Sequence, residues 1–220
     1  AGDLSASCMS FIKNGKDLAW AVYTDAAYDF YYYALNVLVG YNFPYSKQFP
    51  YAAGKIKNET PGSSMGLSDV YCLIARVCTL AYKVCWYFKW RAYMRLRPEA
   101  MAGLVHVSKI NNQNMFNLDE SIFKTDHTFN MLELIYKNNQ ALVPSDKSST
   151  YLLPLVYPEG SPTHPSYPAA HATIAGACTT ILKAFFDGET RIASKVNPVE
   201  ADPNNPKKLK RVIKDARALT

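Results

Sequence analysis

Residues 68–97, SDVYCLIARVCTLAYKVCWYFKWRAYMRLR, run without a glycine or proline, and their apolar residues recur at helical spacing. The stretch predicts one long helix. Ser68 or Asp69 suits its N-cap, because a short oxygen-bearing side chain accepts from the free amides of the first turn. Pro98 ends it, since the ring pushes Arg97 out of the α conformation. Cys72, Cys78 and Cys85 fall within the apolar pattern and read as core residues.

Outward from this helix, residues 17–40 (DLAWAVYTDAAYDFYYYALNVLVG) are apolar nearly all round and close on Gly40, a C-cap residue type, so they predict a second helix. Residues 41–64 hold Pro44, Pro50 and Pro61 among turn formers and read as a long loop. A third helical pattern runs from Asp119 to about Asn138, with Phe123, Phe129, Leu132 and Ile135 as its apolar members. Residues 144–168 are punctuated by prolines, and residues 169–186 (AAHATIAGACTTILKAFF) predict a fourth helix that closes near Gly188. After Arg191 the chain turns polar, so residues 188–220 are expected to be a tail or loop. The sequence shows no internal repeat and no long strand alternation. The expected class is all-α, a single helical domain over residues 1–220 with long proline-rich loops.

The chain has 220 residues, 49% of them hydrophobic, enough for a sizeable core. Its net charge of +6 is dispersed, and the densest basic run, PKKLKR (206–211), sits in the polar end as a solvated face. Nucleic-acid binding is therefore not expected. Five cysteines without a CxxC pair indicate neither a zinc site nor a disulfide framework. No segment approaches the ~20 uninterrupted apolar residues of a membrane span, and the start, AGDLSASCMSF, lacks the plan of a signal peptide. GxSxG, GxxxxGK[ST], HExxH and GxGxxG are all absent.

Two stretches remain that could carry chemistry. On a helix, Lys89, Tyr93 and Arg97 of FKWRAYMRLRPEA (88–100) lie at i, i+4 and i+8, so Lys89 and Arg97 point into one space. Two such cations need an anion or carboxylates between them. The ordinary alternative is a solvated basic edge, or pairing with an acid such as Glu99; Arg91 and Arg95 read as exposed. The second stretch is SPTHPSYPAAHATIAGA (161–177). Pro162, Pro165 and Pro168 fix its path and exclude a regular helix, while a helix can begin at Ala169. His171 would then lie in the first turn, where free amides favour an anion, and the rigid turn would hold His164. His106 and His127 have no such context and read as ordinary, with Asp126 beside His127. Together Lys89, Arg97, His171 and the amides around Ala169 and Ala170 suggest a pocket for phosphate or for vanadate, a phosphate-like oxyanion.

KWRAYMRLRPEA (89–100) followed by EGSPTHPSYPAAHATIAGACTTILKAFFD (159–187) resembles the vanadium-dependent haloperoxidases, specifically the bromoperoxidases of marine algae. These share a motif plan with the type-2 phosphatidic acid phosphatases. The resemblance extends to residues 24–51 and 150–160 and covers roughly 17–187, the C-terminal half of the family enzymes. It implies a helical bundle of the haloperoxidase type. It also implies that Lys89 and Arg97 hold the equatorial oxygens of vanadate, that His171 meets the apical oxygen as acid or base, and that His164 is the additional histidine of the algal enzymes. The family reaction is peroxide-dependent oxidation of bromide to a hypobromous-acid equivalent, and the algal enzymes commonly form large homo-oligomers.

Two departures are legible. Ala169 and Ala170 stand where the family has Ser-Gly, so a hydroxyl toward vanadate is missing and a methyl is added beside the cradle. No histidine follows His171, although the family's vanadium-bonded histidine lies downstream of that helix. Three readings stay open: a bromoperoxidase whose remaining motif lies beyond Thr220, a homologue that has lost the cofactor and serves as a structural or assembly subunit, and a phosphatase of the same superfamily.

Overall fold

The computed structural model describes residues 11–212 except 25, 53–54, 63, 125–130, 156, 158–159 and 197–198. The order of elements is α1 (Gly15–Thr24), α2 (Asp29–Gly40), α3 (Leu67–Tyr87), a π-helix (Phe88–Tyr93), α4 (Pro98–Ile110), a 3-10 turn (Glu120–Ile122), α5 (Met131–Gln140), α6 (Ala170–Phe185), a 3-10 turn (Ile192–Ser194), β1 (Val199–Asp202) and β2 (Asn205–Val212). The chain is mainly helical, as expected. It divides into two compact units, Ala1–Trp86 with Ala169–Thr220, and Tyr87–Pro168.

In the first unit, α3 buries Val70, Ile74, Cys78, Ala81 and Cys85, and α6 buries Ala170, Ile174, Cys178, Leu182 and Phe185. Both sets repeat every three or four residues and so form one stripe per helix. With Leu35 and Leu38 of α2 and the loop residues Phe43, Phe49 and Phe186, most of these side chains make one core. Fully burying a large apolar side chain contributes about 1.5–3 kcal/mol, so this cluster dominates the unit's stability. The proline-bearing loop after α2 is tied to the end of α6 by Ser46 N–H to Phe185 O and Asp187 N–H to Pro44 O, both 2.9 Å. Tyr32 stacks on Tyr71 and donates to its carbonyl at 3.0 Å.

The second unit uses polar side chains where a sheet would use its ladder. The buried Asn139 of α5 donates to Thr150 O (2.8 Å) and Leu152 O (2.7 Å), and the Ser149 hydroxyl donates to Tyr136 O (2.5 Å). These bonds hold the extended segment 149–152 against α5 without strands.

Several expectations are corrected. The helix expected over 17–40 is two helices, because a segment apolar on all sides gives no phase with which to locate the break. The helix expected to reach Arg97 leaves α geometry at Phe88, where Met94 N–H bonds Lys89 O (3.0 Å), and stops at Met94, left-handed at φ 46°. Pro98 does not merely end that helix; it is the first residue of α4, a helix not anticipated, because proline's fixed φ suits that position. The third pattern resolves into a 3-10 turn and α5, with Phe129 outside the described residues. The polar end holds an antiparallel hairpin, Val199 opposite Val212 and Asp202 opposite Asn205, whose lysine-rich strand has no apolar alternation to announce it. Cys72 is exposed, midway between Val70 and Ile74 of the buried stripe. Within residues Leu67–Ile110 one 18-residue window is apolar enough by length and composition to cross a bilayer, a test that a core helix passes as well.

Candidate active site

Lys89 sits in the π-helix and is 1% exposed. Its ammonium donates to Pro165 O at 2.6 Å. Arg97 reaches the same loop from a different backbone. It is extended (φ −69°, ψ 149°) and caps α4. Its Nε–H donates to His164 O at 2.8 Å and its Nη2–H to His164 Nδ1 at 2.9 Å. The two cations therefore do meet one segment, but not through a common α-helical face, since the π turn and Met94 intervene. Tyr93, placed between them by helical spacing, is exposed and packs edge-on against Tyr167, 5.0 Å between ring centroids.

His164 itself is half-buried, its N–H bonded to Pro162 O at 2.9 Å. Burial pushes its imidazole below the ordinary histidine range; the bond to Pro165 O opposes this, and the charges of Lys89 and Arg97 add to it. Nδ1 lies 2.9 Å from Arg97 Nη2 and 3.1 Å from Pro165 O. A guanidinium only donates, whereas a carbonyl only accepts, so one Nδ1 cannot serve both. With the ring neutral beside a permanent cation, the lone pair belongs on Nδ1 toward Arg97 and the proton on Nε2. Glu99, in the first turn of α4, has its carboxyl held below the usual range by a hydrogen bond from Ser161, aided by Arg97. The expected alternative for Arg97, an acidic neighbour, is thus present alongside the histidine.

Ala169, Ala170 and His171 belong to the other unit, where they open α6. Ala169 is the N-cap (φ −73°, ψ 120°) and has no capping side chain; its carbonyl accepts from Thr173 N–H at 3.0 Å and from the Thr173 hydroxyl at 2.9 Å. Ala170 is the first helical residue and is not among those with positive φ, so alanine is unstrained there. His171 is exposed in the first turn. His106 accepts at Nδ1 from Tyr151 N–H (3.4 Å), a packing role, and His127 lies outside the described residues.

Sequence reasoning missed Ser166, whose N–H and hydroxyl both bond the segment carrying Arg97. The available signal was a serine between Pro165 and the Tyr167-Pro168 pair, a place where no regular element can satisfy its donors. Among the described residues no group of three His, Cys, Asp or Glu could hold a bare metal ion. The cluster instead presents cationic N–H donors with a neutral imidazole, a donor set that fits an oxyanion.

The chain is 38% identical over 191 residues to a vanadium-dependent bromoperoxidase of Corallina pilulifera, and 36% identical over 187 residues to that of Corallina officinalis. This chain is a homologue of the vanadium-dependent bromoperoxidases. The bromoperoxidase of Ascophyllum nodosum matches at 33% identity, and each of these alignments covers 81–82% of the chain and 31% of the relative. The chain thus spans about a third of the length of the bromoperoxidases it matches. A solved structure agrees in fold: the homohexameric second vanadate-dependent bromoperoxidase from Ascophyllum nodosum superposes with TM-score 0.72 at 27% identity, covering 94% of this chain and 33% of that one. No family model matches.

Proposed function

We propose that this chain carries the oxyanion-holding part of a bromoperoxidase active site and that the protein oxidises bromide with hydrogen peroxide. The observation that supports this most is the convergence of buried Lys89 and half-buried Arg97 on residues 164–165, at 2.6 and 2.8 Å, in a chain homologous to vanadium-dependent enzymes. Vanadate, when bound, supplies a Lewis-acidic centre that activates peroxide toward bromide. Lys89 Nζ and the Arg97 guanidinium are the cationic donors that would hold the negative oxygens. His164 keeps its proton at Nε2 and donates from there while Arg97 fixes the ring through Nδ1.

The homohexamer of the Ascophyllum nodosum structure supports a homo-oligomer here as well, and exposed apolar residues on α3, including Leu80 and Val84, provide surface for it. Bromination of a phenolic dye tests the reading. The full chain with vanadate, bromide and peroxide should turn over, and removal of vanadate should stop it. No turnover by vanadate-loaded protein contradicts the proposal and favours a structural subunit. Hydrolysis of a phosphate ester without vanadate would favour a phosphatase.

A further inference from the structure

Between Tyr93 and Pro98 the backbone belongs to no helix: Met94 is left-handed, Arg97 is extended, and the carbonyls of Arg95 and Leu96 have no helical partner of their own. Ser166 meets both. Its N–H donates to Arg95 O at 3.0 Å and its hydroxyl to Leu96 O at 2.7 Å. The loop has few other donors to give. Pro165 and Pro168 carry no N–H, and that of His164 is bonded to Pro162 O. Ser166 therefore ties the non-helical joint between two helices to the loop whose His164 Arg97 must reach.

We propose that Ser166 is a positioning residue of the oxyanion site, acting through Arg97 by latching the 95–96 backbone to the His164 loop. The proposal rests on reading Lys89, Arg97 and His164 as that site. Removing the hydroxyl leaves a single backbone bond as the latch, and the Arg97 fork then samples positions in which its bonds to His164 are open. Binding groups need placement within about 0.5 Å, so a loosened joint weakens binding without removing any group that touches the anion.

The test compares the full chain with Ser166→Ala and Ser166→Thr, using orthovanadate as the probe and hydrogen exchange at the Arg97 Nε–H as a readout independent of binding. In Ser166→Ala, exchange should quicken and orthovanadate affinity fall, each by about tenfold, the loss expected for one hydrogen bond. Threonine keeps the hydroxyl and should restore both to within about threefold of the parent. Unchanged Arg97 exchange in a folded Ser166→Ala chain overturns the latch. If alanine prevents folding, the threonine variant decides, with parent-like exchange supporting the latch and fast exchange overturning it. A parent chain that binds no orthovanadate, yet whose Arg97 exchange responds as expected, sinks the oxyanion reading and leaves the latch standing.

Discussion

Replacing Arg97 with lysine separates the geometry of this site from its charge. The guanidinium makes two bonds to one residue, Nε–H to His164 O (2.8 Å) and Nη2–H to His164 Nδ1 (2.9 Å). Lysine keeps the positive charge but has no planar fork, and its single ammonium reaches at most one of these acceptors in the same geometry. The loss is one hydrogen bond from a charged donor, about 1.5–3 kcal/mol. For a domain of this size, about 2–4 °C accompanies each kcal/mol, so Arg97→Lys should lower the melting temperature by about 3–12 °C. Urea unfolding should give a matching loss with an unchanged slope, since no additional surface is exposed. The carboxyl of Glu99, held low first by Ser161 and last by the charge of Arg97, keeps a cation nearby and adds little to the difference. A variant within about 0.5 kcal/mol of the parent, the range of an ordinary surface substitution, would refute the fork as drawn.

Three further outcomes are expected. Ala169→Ser restores a capping oxygen at the uncapped start of α6 and should stabilise the chain by about 1 kcal/mol, read by calorimetry; no gain would mean that the N-cap geometry is wrong. The His164 imidazole titrates below its ordinary 6.5, so between its folded value and 6.5 the unfolded chain binds more protons. Its contribution is whole above pH 6.5 and is lost on acidification; urea midpoints measured from pH 7 to 5 should fall, and His164→Gln should flatten that slope. Among the described cysteines, exposed Cys72 should alkylate first at pH 8, while Cys178, pushed up to about 11 by burial and then by Cys78, stays unmodified until the chain unfolds. Peptide mass spectrometry reads both.

What was legible in the sequence was whatever local periodicity and punctuation control. The start of α3 was placed within one residue, about Ser68 against Leu67, although the expected N-caps Ser68 and Asp69 lie inside the helix, and the start of α6 was placed likewise, Ala169 against Ala170. The π turn was not legible, because an i to i−5 bond carries no signature in spacing that also fits i to i−4. That one turn is why Lys89 and Arg97 cannot be stacked along a single helix. Their common partner is instead a loop some seventy positions later in the chain, and contacts of that range lie beyond local pattern. Pro98 was read as a stop although the same fixed φ also makes it a start. The hairpin at the polar end was hidden because its lysine-rich sequence carries no apolar alternation for a pattern to reveal. Ser166 was invisible for a different reason: its importance lies in which carbonyls lack partners, and that is known only once the joint between the π-helix and α4 is seen.

The most direct measurement of the central claim is equilibrium binding of orthovanadate to the full chain, followed by vanadium NMR, with the parent, Lys89→Met and Arg97→Lys side by side. The account predicts saturable one-to-one binding, competed by inorganic phosphate and weakened about tenfold or more by either substitution, as loss of a charged donor requires. Absence of saturable binding, or binding that neither substitution changes, would contradict it.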